Sequence, residues 1–191
     1  MRGVDLIKPE PVVKQIQLSG ETFETLIHND LLEQRISEMA RKIAEDYEGI
    51  CPVLVVVLNG AFVFAASLAK ALKIPCEIEF IRLVSYEAKT STGQVRAVLG
   101  LDKCLAGRDL IVVEDIVDTG LSMRFLLDRL GGENPRSVRV ASLLFKPSAL
   151  KEKIAPDYVG FEIENRFVVG YGLDFNGIGR NYPDLYVNIR S

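Results

Sequence analysis

A single histidine, His28, stands in the 191 residues, which rules out a multi-histidine metal site and argues against a Ser-His-Asp triad. Lying just before a helical stretch, it reads as a surface or capping residue. Cysteine is scarce too: Cys51, Cys76 and Cys104 are odd in number, widely spaced and without a CxxC pair. That pattern reads as reduced thiols in a cytoplasmic core. No apolar run approaches the roughly 18–20 residues that a membrane span requires; the longest, Val53 to Leu58, has strand length. The opening MRGVDLIKPEPVV places charges and prolines where a signal peptide needs an apolar stretch. The expectation is a soluble, cytoplasmic chain with no membrane partner. Positive charge is not in excess: the net charge of −3 argues against nucleic acid as a partner, because polyanion binding needs a basic surface. Neither GxGxxG nor GxxxxGK[ST] occurs, which argues against Rossmann dinucleotide and P-loop nucleotide binding. There is no internal repeat and no low-complexity segment.

What is present is an ordinary globular composition, 48% apolar and 26% charged, at a length suited to one domain, residues 1–191. Residues 1–28, with Pro9, Pro11 and Gly20, read as irregular or short-stranded. From Asp30 to Tyr47 apolar residues recur at helical spacing, with Asn29 as N-cap and Gly49 as stop. A regular alternation follows: a buried strand at Val53–Leu58, a turn at Asn59-Gly60, a helix over Ala61–Leu72 and a strand at Glu77–Val84. Ser85–Gln94 is small and polar, hence a loop, and Arg96–Leu101 is a short returning strand. Asp109–Glu114 is the next buried strand, then a turn, a helix from Gly120 to Leu130 and a strand at Ser137–Phe145. Shorter strands at Tyr158–Ile163 and Phe167–Tyr171 close the series. Strands and helices in alternation predict an α/β fold with a mainly parallel sheet covered on both faces. The core spans about residues 50–146, and the segments about 1–28 and 147–191 form a small hood over it. Ligands of such sheets bind beyond the carboxyl ends of the strands, here after Leu58, Val84, Val113 and Phe145.

One string lies at such a strand end: Val112-Val113-Glu114-Asp115-Ile116-Val117-Asp118-Thr119-Gly120. Two adjacent carboxylates suit ribose hydroxyls or the water shell of a hard cation such as Mg²⁺. The turn that follows offers backbone N–H groups and a helix N-terminus to a phosphate monoester. Thr119 and Ser122 add hydroxyls, and Gly120 permits close backbone approach. Asp118-Thr119-Gly120 also occurs in aspartic proteases, but there it belongs to a β-rich chain, whereas here it opens a helix.

The string resembles the phosphoribosyl-pyrophosphate signature of type I phosphoribosyltransferases. The resemblance implies that Glu114 and Asp115 hold the ribose hydroxyls, and that Asp118, Thr119, Gly120, Leu121 and Ser122 cradle the 5′-phosphate. Three further segments follow the family's order. Leu58-Asn59-Gly60-Ala61 is similar to its pyrophosphate-binding loop, although Asn59 stands where 6-oxopurine members often carry a basic residue. Ser85-Tyr86 with Thr90-Ser91-Thr92-Gly93 is similar to the closing loop of hypoxanthine-guanine phosphoribosyltransferases, which shields a cation-like ribosyl centre from water. Lys146 and Phe167-Val168-Val169-Gly170-Tyr171-Gly172-Leu173-Asp174 resemble the base site of that subfamily. There Lys146 would bind the purine O6, Phe167 would stack on the ring, and the Val168 backbone would read its edge. Asp174 would serve Mg²⁺ or the exocyclic group, and Arg180 matches a pyrophosphate-contacting arginine.

The implied reaction joins N9 of hypoxanthine or guanine to C1 of phosphoribosyl pyrophosphate, giving IMP or GMP and pyrophosphate. Mg²⁺ is the implied cofactor, with Glu114, Asp115 and Asp174 its candidate ligands. Asp118 is the candidate catalytic base, and relatives of this kind are homodimers or homotetramers. A pyrimidine-type RNA-binding regulator on the same fold would carry tyrosine in place of Asp118 and a basic face. Lys146 and the Phe167–Asp174 segment argue against an orotate or adenine enzyme.

Overall fold

The computed structural model describes residues 13–85, 95–99 and 104–189. Among them two sheets are formed. The larger has the order β5-β4-β3-β6-β7-β8. Its strands are β3 (Val53–Leu58), β4 (Glu77–Ser85), β5 (Val95–Leu99), β6 (Asp109–Val117), β7 (Ser137–Phe145) and β8 (Tyr158–Glu162). From β4 to β8 all neighbours are parallel, and β5 runs antiparallel along the β4 edge. The helices that cover it are α1 (Asn29–Asp46), α2 (Phe62–Ala71) and α3 (Leu121–Gly131).

The unbroken apolar run of β3 follows from that cover. Leu54, Val56, Ile111 and Val113 pack with the buried residues of α1 and α2. Val53, Val55, Val57 and Val112 pack with Met123, Leu126 and Leu130 of α3. A strand enclosed on both faces has no position for a polar residue. β6 runs past Glu114 to Val117 because β7 stays paired with it as far as Phe145. The two acids therefore lie within the strand and not beyond its end.

The smaller sheet is antiparallel, in the order β1-β2-β10-β9. It joins β1 (Gln15–Leu18) and β2 (Glu21–Ile27) to β9 (Val168–Val169) and β10 (Leu185–Asn188). Leu18, Phe23, Val169 and Tyr186 form its own core. The cap of α1 differs from expectation. His28 occupies the N-cap and makes no side-chain cap bond. The Asn29 amide instead donates to Asp184 Oδ1 at 2.8 Å, so the capping carboxylate comes from the far end of the chain. Gly49, at φ +72°, turns the chain after the helix as expected.

Candidate active site

The carboxyl ends of β3, β6 and β7 meet beside the loop after β9. Two clefts open there, and Ile116 and Asp118 border both. The first, about 90 Å³, is lined by Glu114, Val117, Asp118, Thr119, Gly120 and Ser122. Gly120 precedes α3 with φ +80°, a left-handed conformation that glycine adopts without steric penalty. This turn delivers the chain so that the α3 N-terminus faces the cleft, an arrangement suited to an anion. Leu121 is 46% exposed and does not line the cleft, so only its backbone N–H can serve there.

The second cleft, about 160 Å³, is bordered by Asp115, Asp118, Lys146, Phe167, Val168 and Asp174. Lys146 is buried at the end of β7, and its ammonium donates to Asp118 Oδ2 at 3.0 Å. Asp118 itself is 43% exposed, so the pair has one dry and one wet partner. Phe167 is exposed at the rim. Its ring meets Phe175 edge-on, with centroids 5.5 Å apart. Both Phe167 and Phe175 approach the buried Phe23 of β2. Val168 is held by antiparallel pairing with Val187.

Glu114 is buried and Asp115 half-buried. Burial and the neighbouring Asp115 charge hold Glu114 well above the usual carboxyl range. Burial raises Asp115 as well, opposed by hydrogen bonds from the Glu114 carboxyl and the Ile116 amide and by the Arg180 charge. A divalent cation beside either carboxyl would offset the burial that raises it. Gly60 fits against this pair, since a Cβ there would overlap the Asp115 carboxylate. Asn59 is exposed beside it, and the Leu58–Asn59 peptide is cis.

Arg180 lies near enough for its charge to act on Asp115. It pairs with Asp174 Oδ1 at 2.5 Å and donates to the Gly172 carbonyl at 2.7 Å. Asp174 also accepts from the Gly177 amide at 2.7 Å. The structure thus brings Glu114, Asp115, Asp118, Lys146, Phe167, Val168, Asp174, Asn59, Gly60 and Arg180 to one end of the larger sheet. Ser85 ends β4, and Tyr86 lies outside the described residues.

The expected magnesium set does not form one cluster. Among the described residues no three acidic, histidine or cysteine side chains group to hold a metal ion. Glu114 faces the first cleft, while Asp115 and Asp174 face the second. Mg²⁺ commonly binds through one or two carboxylates, waters and substrate phosphates, so the donors fit a cation that arrives with a phosphorylated substrate. Sequence reasoning missed Ile116 and Leu173, which line the clefts. Their apolar character hid them, although Ile116 sits inside the acidic string.

The phosphoribosyl transferase domain family matches residues 23–176. The chain belongs to this family. Its relatives include the hypoxanthine-guanine phosphoribosyltransferase of Mycobacterium tuberculosis, 40% identical over 173 residues, covering 87% of this chain and 84% of that protein. The protein of that name from Bacillus subtilis is 35% identical over 165 residues, covering 86% of this chain and 92% of its own. Among solved structures, a hypoxanthine-guanine phosphoribosyltransferase of Bacillus anthracis superposes with a TM-score of 0.81 at 39% identity, covering 85% of this chain and 95% of that one. A hypoxanthine phosphoribosyltransferase of Trypanosoma cruzi gives 0.79 at 34% identity, covering 86% and 95%. The type I phosphoribosyltransferase fold expected from the acidic string is therefore the fold observed.

Proposed function

We propose that the chain is a purine-salvage enzyme that transfers the 5-phosphoribosyl group from phosphoribosyl pyrophosphate to hypoxanthine and guanine. The observation that carries this reading is the pair of clefts joined at Ile116 and Asp118. One offers hydroxyls, a helix N-terminus and a glycine turn to a phosphate. The other offers a buried ammonium and an exposed aromatic ring to a carbonyl-bearing heterocycle.

In this reading the Asp118–Ser122 turn holds the 5′-phosphate, and Glu114 and Asp115 hold the ribose hydroxyls. Asn59, Gly60 and Arg180 receive the pyrophosphate. Phe167 stacks on the base, the Val168 backbone reads its edge, and Lys146 donates to its O6. Asp118 accepts the base's N7 proton as N9 forms the bond to C1. Most of the catalysis is then positional and electrostatic. Glu114 and Asp115, or Asp174, would hold a Mg²⁺ that arrives with the substrate, and it would neutralise phosphate charge. Ser85 and Tyr86 belong to the segment that closes over the reacting centre. The two sheets work as one catalytic domain, the smaller one serving as its hood.

The reading extends to a cytoplasmic enzyme that assembles as a homodimer or homotetramer. The free thiols of Cys51, Cys76 and Cys104 support a reducing compartment. Among the described residues no helix is long and apolar enough to cross a membrane.

The test is nucleotide formation from phosphoribosyl pyrophosphate and Mg²⁺ with hypoxanthine, guanine, xanthine, adenine or orotate supplied singly. Turnover is expected with 6-oxopurines and not with adenine or orotate. A folded protein that binds the donor and turns over no base would refute the reading.

A further inference from the structure

Three consecutive residues after β9, Gly170, Tyr171 and Gly172, have positive φ values of 98°, 47° and 103°. The outer two are glycines, for which this is easy. A bulky L residue between them seldom adopts it, and such a conformation persists only where the surroundings over-determine it.

The surroundings here are specific. Tyr171 is 2% exposed and points away from the clefts, toward α1 and α2. Its hydroxyl donates to Glu33 Oε1 of α1. The Ser67 hydroxyl of α2, 2.9 Å from the Tyr171 oxygen, donates to that same Glu33 oxygen at 2.9 Å. One acceptor atom therefore fastens a tyrosine and two helices.

On its backbone side the turn touches the groups proposed for pyrophosphate. The Gly172 carbonyl accepts from Arg180 Nη1 at 2.7 Å, and the Gly172 amide donates to the Arg180 carbonyl at 3.0 Å. A Cβ on Gly172 would overlap the Gly60 carbonyl, and Gly60 in turn abuts Asp115. The base-facing residues have separate support: Val168 from β10, and Phe167 from Phe23 and Phe175.

We infer that Tyr171 is a positioning residue for the pyrophosphate half of the site, acting through the Glu33–Ser67 hydrogen bonds on Gly172, Arg180 and Gly60. The inference rests on the phosphoribosyl-transfer reading. It explains why a tyrosine occupies a left-handed position between two glycines, and it separates the determinants of the two substrates.

Tyr171→Phe keeps the ring and removes the hydroxyl. The expected result is a rise of about tenfold in KM for phosphoribosyl pyrophosphate, and for pyrophosphate in the reverse direction, as befits one lost hydrogen bond to a charged group. KM for hypoxanthine should stay within about twofold, the base contacts being independently supported. Glu33→Gln retains an acceptor oxygen without the charge and should fall between the parent protein and Tyr171→Phe. Glu33→Leu should reproduce Tyr171→Phe, and the double variant Glu33→Leu/Tyr171→Phe should be no worse than either alone. An equal rise in KM for base and donor, no rise at all, or additive losses in the double variant would overturn the inference. If Tyr171→Phe fails to fold, the Glu33→Gln and Glu33→Leu comparison decides on its own. Inactivity of the parent protein with every base would refute phosphoribosyl transfer itself, whereas an active parent with an unaltered Tyr171→Phe variant refutes this inference alone.

Discussion

In the proposed reaction Asp118 takes a proton, and its carboxylate lies 3.0 Å from the buried Lys146 ammonium. The arrangement makes sense if the lysine changes partner. A purine carbonyl that draws the Lys146 ammonium would free the Asp118 carboxylate for another partner. Asp118→Asn preserves an oxygen for Lys146 but cannot take the proton. Its kcat should fall by about 10²–10⁴-fold with little change in KM for phosphoribosyl pyrophosphate, as steady-state kinetics would show. Parallel losses in both would reduce Asp118 to a phosphate anchor. At this scale the acids, Gly60, Lys146 and Phe167 were legible because their chemistry is written in local strings. Ile116, Leu173 and the contacts of Tyr171 were not, since an apolar lining or a buried hydroxyl has meaning only beside partners distant in sequence.

Elements tell a similar story with a different boundary. β3 and β7 occupy the segments expected of them, because a strand enclosed on both faces carries an apolar run that the local sequence displays. The hairpin β1–β2 and strand β10 are short, and their pairing depends on segments at opposite ends of the chain. No local pattern could announce them as one sheet. The α1 cap is a second case. Asp184 is buried, takes the Asn29 amide and lies 3.3 Å from the Tyr186 hydroxyl, with His28 and Lys14 at 3.9 and 3.8 Å. Asp184→Ala should destabilise the fold by about 1–2 kcal/mol, as loss of an N-cap does, whereas Asp184→Asn should lose much less. Denaturant midpoints of the two variants provide the comparison.

For the molecule as a whole, acid stability depends on carboxylates of opposite tendency. Arg136, with help from the Ser137 hydroxyl, holds the buried Asp109 below the usual carboxylate range. Lys42, Tyr158 and Arg139 do the same for Asp46. A lowered carboxyl value stabilises the fold fully above the unfolded value of about 3.9, and that contribution is lost as pH falls through the lower folded value. Glu114 and Asp115 act in reverse, their raised values favouring the fold as pH falls toward the ordinary carboxyl range. Acid unfolding is therefore expected below about pH 4, and Arg136→Gln should move its midpoint upward in a circular-dichroism titration. An unmoved midpoint would remove Asp109 from this account.

The pairing of β2 with β10 has a consequence for synthesis. Ribosomes deliver β2 well before β10, and Ile27 finds Leu185 only when both are free of the exit tunnel. The larger sheet draws its strands from the middle of the chain and can begin to assemble sooner. Val168, held by β10, and Arg180, whose loop lies between β9 and β10, then reach their places only after β10 has emerged. A nascent chain that stalls before Leu185 lacks the strand that closes the smaller sheet and leaves the inner edges of β2 and β9 open to a neighbouring polypeptide.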